Sequence, residues 1–282
     1  GDPTVIDMKD IVRQIEYLPP VPGIPFRVLT RLQDPDVTPA SLYELIRLDS
    51  GLSADVLKLC NSAAFGLARQ VRSLREALVH LGSKSLRSML LLLLARNIYA
   101  RDYRGYEEHQ GALQRHSVAV ALISSYLHPY YPGDCEVLFT VALLHDVGKI
   151  VLSEYAQAAM DEIIRLTREE NLTFDDAEVR VLGMTHAEVG AMILEHWKCA
   201  PEMVEAIRFH HTPERVPDSP LTHFVALADI MAMLVGLGTE VDGLRYRAFP
   251  GLCKRYGIRE RDVERTLSQA LVEFRKLEEI VS

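Results

Sequence analysis

The sequence has few cysteines, no excess of positive charge and no long hydrophobic run, and each shortage excludes a class of protein. The four cysteines stand far apart with no Cys-x-x-Cys pair, which argues against a disulfide framework and against a thiolate zinc site. The net charge of −8 argues against general nucleic-acid binding, which depends on neutralising phosphates with lysine and arginine. The longest apolar run, residues 89–95, is far shorter than the roughly 20 residues that cross a bilayer.

What remains is the composition of an ordinary globular chain. Its 282 residues are 48% hydrophobic and 25% charged, which is enough to bury one large core or two modest ones. Unpaired cysteines fit a reducing compartment, and no signal-peptide pattern is visible. The sequence therefore predicts a cytoplasmic protein that binds neither a membrane nor nucleic acid.

The first hundred residues predict short helices joined by tight turns, with no strand-like alternation. Thr38 followed by Pro39 has the form of an N-cap and a first helical position. Residues 73–76, Ser-Leu-Arg-Glu, have the form of a capping box that opens a helix, and we expect that helix to stop at Gly82. His80 stands alone and is interpreted as a structural or surface histidine. Because nothing in this region has catalytic spacing, it is predicted to contact a partner protein.

Residues 143–150, Leu-Leu-His-Asp-Val-Gly-Lys-Ile, place two ionisable side chains next to each other in an apolar run. Adjacent side chains on a helix point about 100° apart, so His145 and Asp146 can share one ligand only at a helix end or a bend, which Gly148 permits. Imidazole and carboxylate are good ligands for a divalent transition metal, and Lys149 would suit a phosphate. The alternative is a polar cluster that closes a helix C-terminus, with Lys149 complementing the helix dipole.

Four further histidines lie in helical patterns later in the chain. His116 is predicted to begin a helix and to lie on the face of that helix that points to the core. His186 lies in the first turn of a helix opened by the Thr-His-Ala-Glu capping box at 185–188, which gives Glu188 a structural role. His210 and His211 end a helix before Pro213. Each has a structural alternative: a core histidine bonded to a carbonyl, or an imidazolium that stabilises a helix end.

Asp229 lies in the middle of the apolar run 224–234. An unpaired buried carboxylate would cost several kcal/mol or take up a proton. A metal ion or a histidine cluster supplies the partner that such a carboxylate needs, so we favour a functional role here.

Seven residues together exceed what one tetrahedral site needs and suit two octahedral metals that share a bridging ligand: His116, His145, Asp146, His186, His210, His211 and Asp229. Nitrogen and oxygen ligands without sulfur favour Fe, Mn, Zn or a similar ion. Paired metals activate a water and clamp a phosphoryl group.

These residues carry a resemblance to a known superfamily. His116, His145-Asp146 and Asp229 match the H…HD…D pattern of the HD phosphohydrolases, and the other three histidines resemble the extended set of the HD-GYP cyclic-dinucleotide phosphodiesterases. The match is closer still to the HDOD family, the HD-related output domains of bacterial signalling proteins. Its signatures are matched, in order, by residues 18–22, 61–66, 73–82, 143–150, 186–190 and 210–211.

The resemblance implies an all-α fold, with an HD-like helical core and an additional N-terminal helical lobe. It also implies a bacterial signalling role through protein–protein interaction, usually without catalysis, and a metal site that is vestigial, structural or sensory. This chain nevertheless keeps every position of the metal set.

Two alternatives stay open. One is a metal-dependent phosphohydrolase acting on a nucleotide or cyclic dinucleotide, in which the seven residues hold a divalent pair such as Fe or Mn and Lys149 contacts the phosphate. Residues 212–217 lack the Gly-Tyr-Pro of the phosphodiesterases, which argues against cyclic-dinucleotide hydrolysis but not against metal binding. The other is a structural helical scaffold with empty, protonatable histidines.

Three parts of the chain are predicted. Residues 1–110 form the N-terminal lobe, residues 111–235 form the HD-like core with the metal-type residues, and residues 236–282 form a connection and an amphipathic helix. That last helix, from 260 to 281, has apolar residues along one face: Val263, Leu267, Leu271, Phe274 and Leu277.

We expect the 260–281 helix to pack its apolar face on the body of the protein. Light scattering should then return one monomer mass across a wide range of protein concentration. A mass that rises with concentration would instead support the alternative, in which this helix docks a partner or a second copy of the chain as a homodimer.

Overall fold

The fold is built from α-helices. The computed structural model describes residues 8–17, 27–28, 31, 34, 36–61, 70–98, 112–237 and 249–281. Within these ranges there are thirteen α-helices and no strand, so the predicted all-α class is confirmed. In chain order they are α1 (Met8–Tyr17), α2 (Pro39–Ile46), α3 (Ser50–Cys60), α4 (Leu74–Ile98), α5 (Ala112–Leu127), α6 (Cys135–Leu144), α7 (Lys149–Glu169), α8 (Phe174–Leu182), α9 (His186–His196), α10 (Pro201–Phe209), α11 (Pro220–Leu234), α12 (Phe249–Arg255) and α13 (Glu260–Val281).

The helices belong to two compact units. The larger contains the described residues within Gly1–Leu18 and Ile98–Ala270, and the smaller contains those within Pro19–Asn97 and Leu271–Ser282. The three-part division proposed from the sequence stays a prediction. None of the helices that the structure describes is both long enough and apolar enough to cross a membrane.

Local capping signals set the helix starts of the smaller unit. The Thr38 side chain accepts a hydrogen bond from the backbone N–H of Ser41 at 3.2 Å, and Pro39 occupies the first turn, as predicted. The Ser73 hydroxyl accepts from the backbone N–H of Glu76 at 3.1 Å and opens α4. Gly82, with a φ of 66°, interrupts α4 where the stop was expected.

Asn61 ties the end of α3 to Val71. Its side-chain Nδ2 donates to the backbone carbonyl of Val71 at 2.8 Å, and its side-chain Oδ1 accepts from the backbone N–H of Val71 at 2.7 Å. This pair of bonds holds the end of α3 beside residues 70–72. Residues 62–66 of the signature at 61–66 lie outside the described residues, as do 18–26 and 238–248.

The core of the larger unit is a set of apolar helices. Helix α5 packs against α6 and α11, α9 packs against α10, and α7 packs against α8. Helix α1 contacts α7 and α9. Residues 221–232 of α11 are all buried, as expected of a helix that is apolar on every side. The prediction that His116 begins a helix is wrong, because α5 starts one turn earlier, at Ala112, with Leu113 buried in its first turn.

A four-residue turn separates α6 from α7 at the predicted bend. The backbone N–H of Val147 donates to the carbonyl of Leu144 at 2.9 Å, and that of Lys149 donates to the carbonyl of Asp146 at 3.0 Å. Gly148 permits this turn to touch the start of α9, since a Cβ atom there would lie 1.8 Å from the carbonyl oxygen of His186. The turn and α9 therefore meet backbone to backbone.

Helix α13 has the predicted bounds but a different buried face. The structure buries a stripe about one residue earlier on the helix: Asp262, Thr266, Ala270, Glu273 and Phe274. Of the predicted face only Phe274 is buried; positions 263, 267 and 271 are half-buried, and the side chain at 277 lies outside those described. Asp262 accepts from the backbone N–H of Arg259 at 3.0 Å and pairs with Arg265 at 3.2 Å, which holds this polar residue inward at the helix start.

We expect Gly148→Ala to destabilise the protein by about 2 kcal/mol or more, because the new methyl group collides with backbone atoms that cannot rotate away. Chemical denaturation would measure the loss. Gly251→Ala is the matched control, since nothing lies within 4 Å of a Cβ at that exposed helical position. Equal stability of the two variants would contradict the close approach of the turn to α9.

Candidate metal centre

Seven side chains from five separate segments converge in the larger unit. His116 comes from α5, His145 and Asp146 from the turn after α6, and His186 from the first position of α9. The remaining three come from the end of α10 and the middle of α11: His210, His211 and Asp229. Each of the seven side chains is at most 4% exposed. The structure thus brings together every residue that the sequence predicted as a ligand.

One group of donors, here called the HD half, consists of His116, His145, Asp146 Oδ2 and Asp229 Oδ1. The Nε2 atom of His116 lies 3.1 Å from His145 Nε2, 3.1 Å from Asp229 Oδ1 and 3.6 Å from Asp146 Oδ2. His145 Nε2 lies 3.5 Å from Asp146 Oδ2 and 3.8 Å from Asp229 Oδ1. Two donors bound at about 2.1 Å to one metal are about 3.0–3.4 Å apart in octahedral or tetrahedral geometry. The spacing suits a single ion.

The second group, the histidine half, consists of His186, His210 and His211. The other oxygen of Asp146, Oδ1, lies 3.4 Å from His186 Nε2 and 4.0 Å from His210 Nε2. The Oδ2 atom of Asp229 lies 3.8 Å from His211 Nε2. Each carboxylate therefore directs one oxygen to each half, which is the arrangement that bridging ligands require.

Backbone carbonyls hold three of the five rings in one orientation. The Nδ1 atoms of His116, His145 and His210 lie 2.7, 2.8 and 2.6 Å from the carbonyl oxygens of residues 237, 142 and 207. A carbonyl oxygen only accepts, so each Nδ1 carries a proton and donates it. In a neutral ring the Nε2 lone pair then points into the centre, where a metal would bind it.

The other two rings are held by carboxylates that sequence analysis missed. The Nδ1 atom of His186 lies 2.7 Å from Glu178 Oε2, and that of His211 lies 2.7 Å from Asp175 Oδ1. Both carboxylates belong to α8. Their three-residue spacing, which places them on one face of a helix, is the signal that could have found them.

The charge state of the centre follows from burial and from these partners. Burial lowers the pKa of His145 and lowers that of His210 to about 3, which keeps both rings neutral. Burial also opposes a charge on His116, but the hydrogen bond and charge of Asp229 outweigh it and raise the pKa. Burial likewise opposes ionisation of Asp146, yet the positive charge of Lys149 helps to hold the pKa of that carboxyl well below its usual value.

The residues fit a bound cation. Neutral His116 and His145 rings, each with Nδ1 protonated, would point two lone pairs at each other across 3.1 Å, a contact that a proton or a metal ion relieves. The buried Nε2 atom of His210 has no hydrogen-bond partner in the part of the chain that the structure describes. Such an atom is costly to bury unless a ligand uses it.

Lys149 lies against the centre. Its Nζ atom is 2.8 Å from Asp146 Oδ2 and the side chain is 1% exposed. Lys149 is the first residue of α7 and does not complement the dipole at the end of its own helix, whereas His145 and Asp146 directly follow the end of α6. Its contact with a phosphate stays a prediction.

Glu188 and His80 have the structural and surface roles predicted for them. The Glu188 carboxylate accepts from the backbone N–H of Thr185 at 3.3 Å and completes the capping box. His196 is exposed. His80 is exposed and lies 3.9 Å from Glu76.

Comparison with known proteins decides the family. A family model of the HDOD domain matches residues 18–213, more than half of the chain. This chain belongs to the HDOD family. The crystal structure of an HDOD domain protein of unknown function from Geobacter sulfurreducens is similar to it, with 27% identity, a TM-score of 0.68 and 96% of each chain covered.

Two further proteins are less similar to the HDOD chain. A candidate phosphohydrolase from Shewanella amazonensis SB2B is 24% identical with a TM-score of 0.63, covering 95% of this chain and 98% of that one, which shows a shared fold. An uncharacterised protein of Treponema pallidum (strain Nichols) is 25% identical over 226 residues, covering 78% of this chain and 43% of the relative. The chain thus spans less than half the length of that curated relative.

In protein treated with a chelator, we expect the Nδ1–H tautomer at His145 and His210, because each Nδ1 faces a carbonyl oxygen. Ring ¹⁵N chemical shifts would report it. The exposed His196 is the control and should show the mixture of tautomers found in solution. An Nε2–H tautomer at His210 would contradict the inward-facing lone pair.

Proposed function

We propose that this HDOD protein is a signalling domain that acts by binding other regulatory proteins, and that its centre binds divalent metal in a structural or sensory role. The observation that carries the proposal is the burial of all seven donor side chains, each at most 4% exposed, around inward-facing Nε2 atoms. A donor set enclosed in this way favours holding an ion over admitting a substrate.

The chemistry of the donors indicates the kind of ion. Five imidazoles and two carboxylates, with no cysteine among the clustered ligands, favour Fe or Mn. The HD half would hold one ion through His116, His145 and Asp229, and the histidine half would hold another. Asp146 would serve both, because its two oxygens face different halves.

The smaller unit is the region proposed to contact a partner. Helices α2, α3 and the described part of α4 supply none of the seven donors. Leu48 and Val79 are apolar yet 59% and 66% exposed, so apolar surface is available there. This apolar surface supports a protein partner.

A second candidate function is phosphohydrolysis of a nucleotide or cyclic dinucleotide. The two-sided placement of Asp146 favours it, because a metal pair supplies a nucleophilic water and neutralises charge on a phosphoryl group. Lys149 would bind the phosphate by exchanging its present contact with Asp146 Oδ2 for a phosphate oxygen. The side chains that surround the seven donors would orient them and exclude bulk water.

We expect anaerobically purified protein to contain about one to two equivalents of Fe or Mn per chain, given two donor groups, and to hydrolyse no nucleotide in a broad screen. Asp146→Ala should lose most of the metal, because it removes a donor from both halves. His196→Ala is the control, since it removes an exposed imidazole and should leave the metal content unchanged.

The combined outcomes separate the candidates. Metal without turnover supports the signalling proposal, whereas metal with turnover that Asp146→Ala abolishes replaces it with the phosphohydrolase. Wild-type protein without metal under every condition would contradict both metal-dependent functions and leave the scaffold of empty histidines.

A further inference from the structure

The two halves of the centre differ in the groups that accept hydrogen bonds from the Nδ1 atoms of their histidines. In the HD half, His116 and His145 donate from Nδ1 to backbone carbonyls. In the histidine half, His210 also donates to a backbone carbonyl, but His186 and His211 donate from Nδ1 to carboxylates of α8. A carboxylate behind an imidazole makes the ring a more basic ligand than a carbonyl does, and it also fixes the ring orientation. The two halves are therefore chemically unequal.

Glu178 holds both the ring and the backbone of His186. Its Oε2 atom accepts from the ring Nδ1 at 2.7 Å and from the backbone N–H of the same residue at 3.1 Å. His186 is the first residue of α9, where a backbone N–H has no partner inside its own helix. The fully buried Glu178 carboxylate thus positions the ligand and the helix start that carries it.

Asp175 holds His211 from the same helix. Both of its carboxylate oxygens lie within 2.9 Å of the ring Nδ1, and its side chain is only 18% exposed. Asp175 and Glu178 are three residues apart and so share one face of α8. Thr173 caps the start of α8, and Gly183 ends it in a left-handed conformation. Helix α8 is a separately capped element that presents two carboxylates to two ligands.

We propose that Asp175 and Glu178 are positioning residues for the histidine half, so that metal binding by His186 and His211 depends on helix α8 while the HD half does not. This inference rests on the metal binding proposed above. Removing the hydrogen-bond partner of a metal-binding histidine's other ring nitrogen typically lowers the metal affinity about 10–100-fold. The loss should fall on one of two bound ions.

The test is a cobalt(II) titration of the full chain after chelator treatment. Calorimetry measures the affinity, and the visible absorption of the bound ion reports its surroundings. In Glu178→Gln and in Asp175→Asn, one equivalent should bind as in wild type, and the other should bind about 10–100-fold more weakly with an altered spectrum. Asp175→Asn keeps the test valid if the buried Glu178→Gln fails to fold.

Two controls assign the loss to one half. Glu188→Gln changes a nearby carboxylate that caps α9 without touching a ring, and both equivalents should bind normally. His116→Ala should weaken the equivalent that the α8 variants leave intact.

Two outcomes would overturn the inference, and they are distinguishable. If both α8 variants bind two equivalents with wild-type affinity and spectrum, the positioning role is wrong while the metal-binding proposal stands. If wild-type protein binds no cobalt, the metal-binding proposal itself fails and takes this inference with it.

Discussion

The buried charge of Asp146 is the constraint on which the centre depends. A carboxylate removed from water is costly unless it faces positive charge or shares a cation with neighbouring ligands. Lys149 lies 2.8 Å away, and the Nε2 atoms of three histidines lie 3.4–3.6 Å away. Those histidines come from α5, from the turn after α6 and from α9, so these elements must meet at one point for the charge to be buried. The backbone contact at Gly148 makes that meeting sterically possible.

An enclosed centre of this kind links ligand binding to the stability of the larger unit. Any ion that binds the folded chain and not the unfolded one stabilises the fold in proportion to the logarithm of its concentration. Because the donors come from α5, α9, α10, α11 and the turn after α6, the ion would join elements that are far apart in sequence. Such coupling would make the stability of the larger unit depend on the availability of the ion.

Local chemistry was predictable where the signal and its effect lie within a few residues. The caps at Thr38 and Thr185 and the bend at Gly148 involve hydrogen bonds between residues only three positions apart. The ligand-type residues stood out because a histidine or aspartate in an apolar helical face needs a partner. The carboxylates of α8 did not stand out, because acidic residues near a helix start also serve the dipole. Their partners lie 8 and 36 residues further along the chain.

The sequence by itself determined the all-α class, several helix boundaries and the seven ionisable residues that converge in the larger unit, since periodicity, capping and buried polarity are local properties. Tertiary structure alone decided that the donors form two halves, that both oxygens of Asp146 are used and that α8 backs only two of the rings. It also decided the buried face of α13, where Asp262 turns inward against the apolar pattern. These features depend on distances between side chains remote in sequence, and such distances arise only when the helices pack.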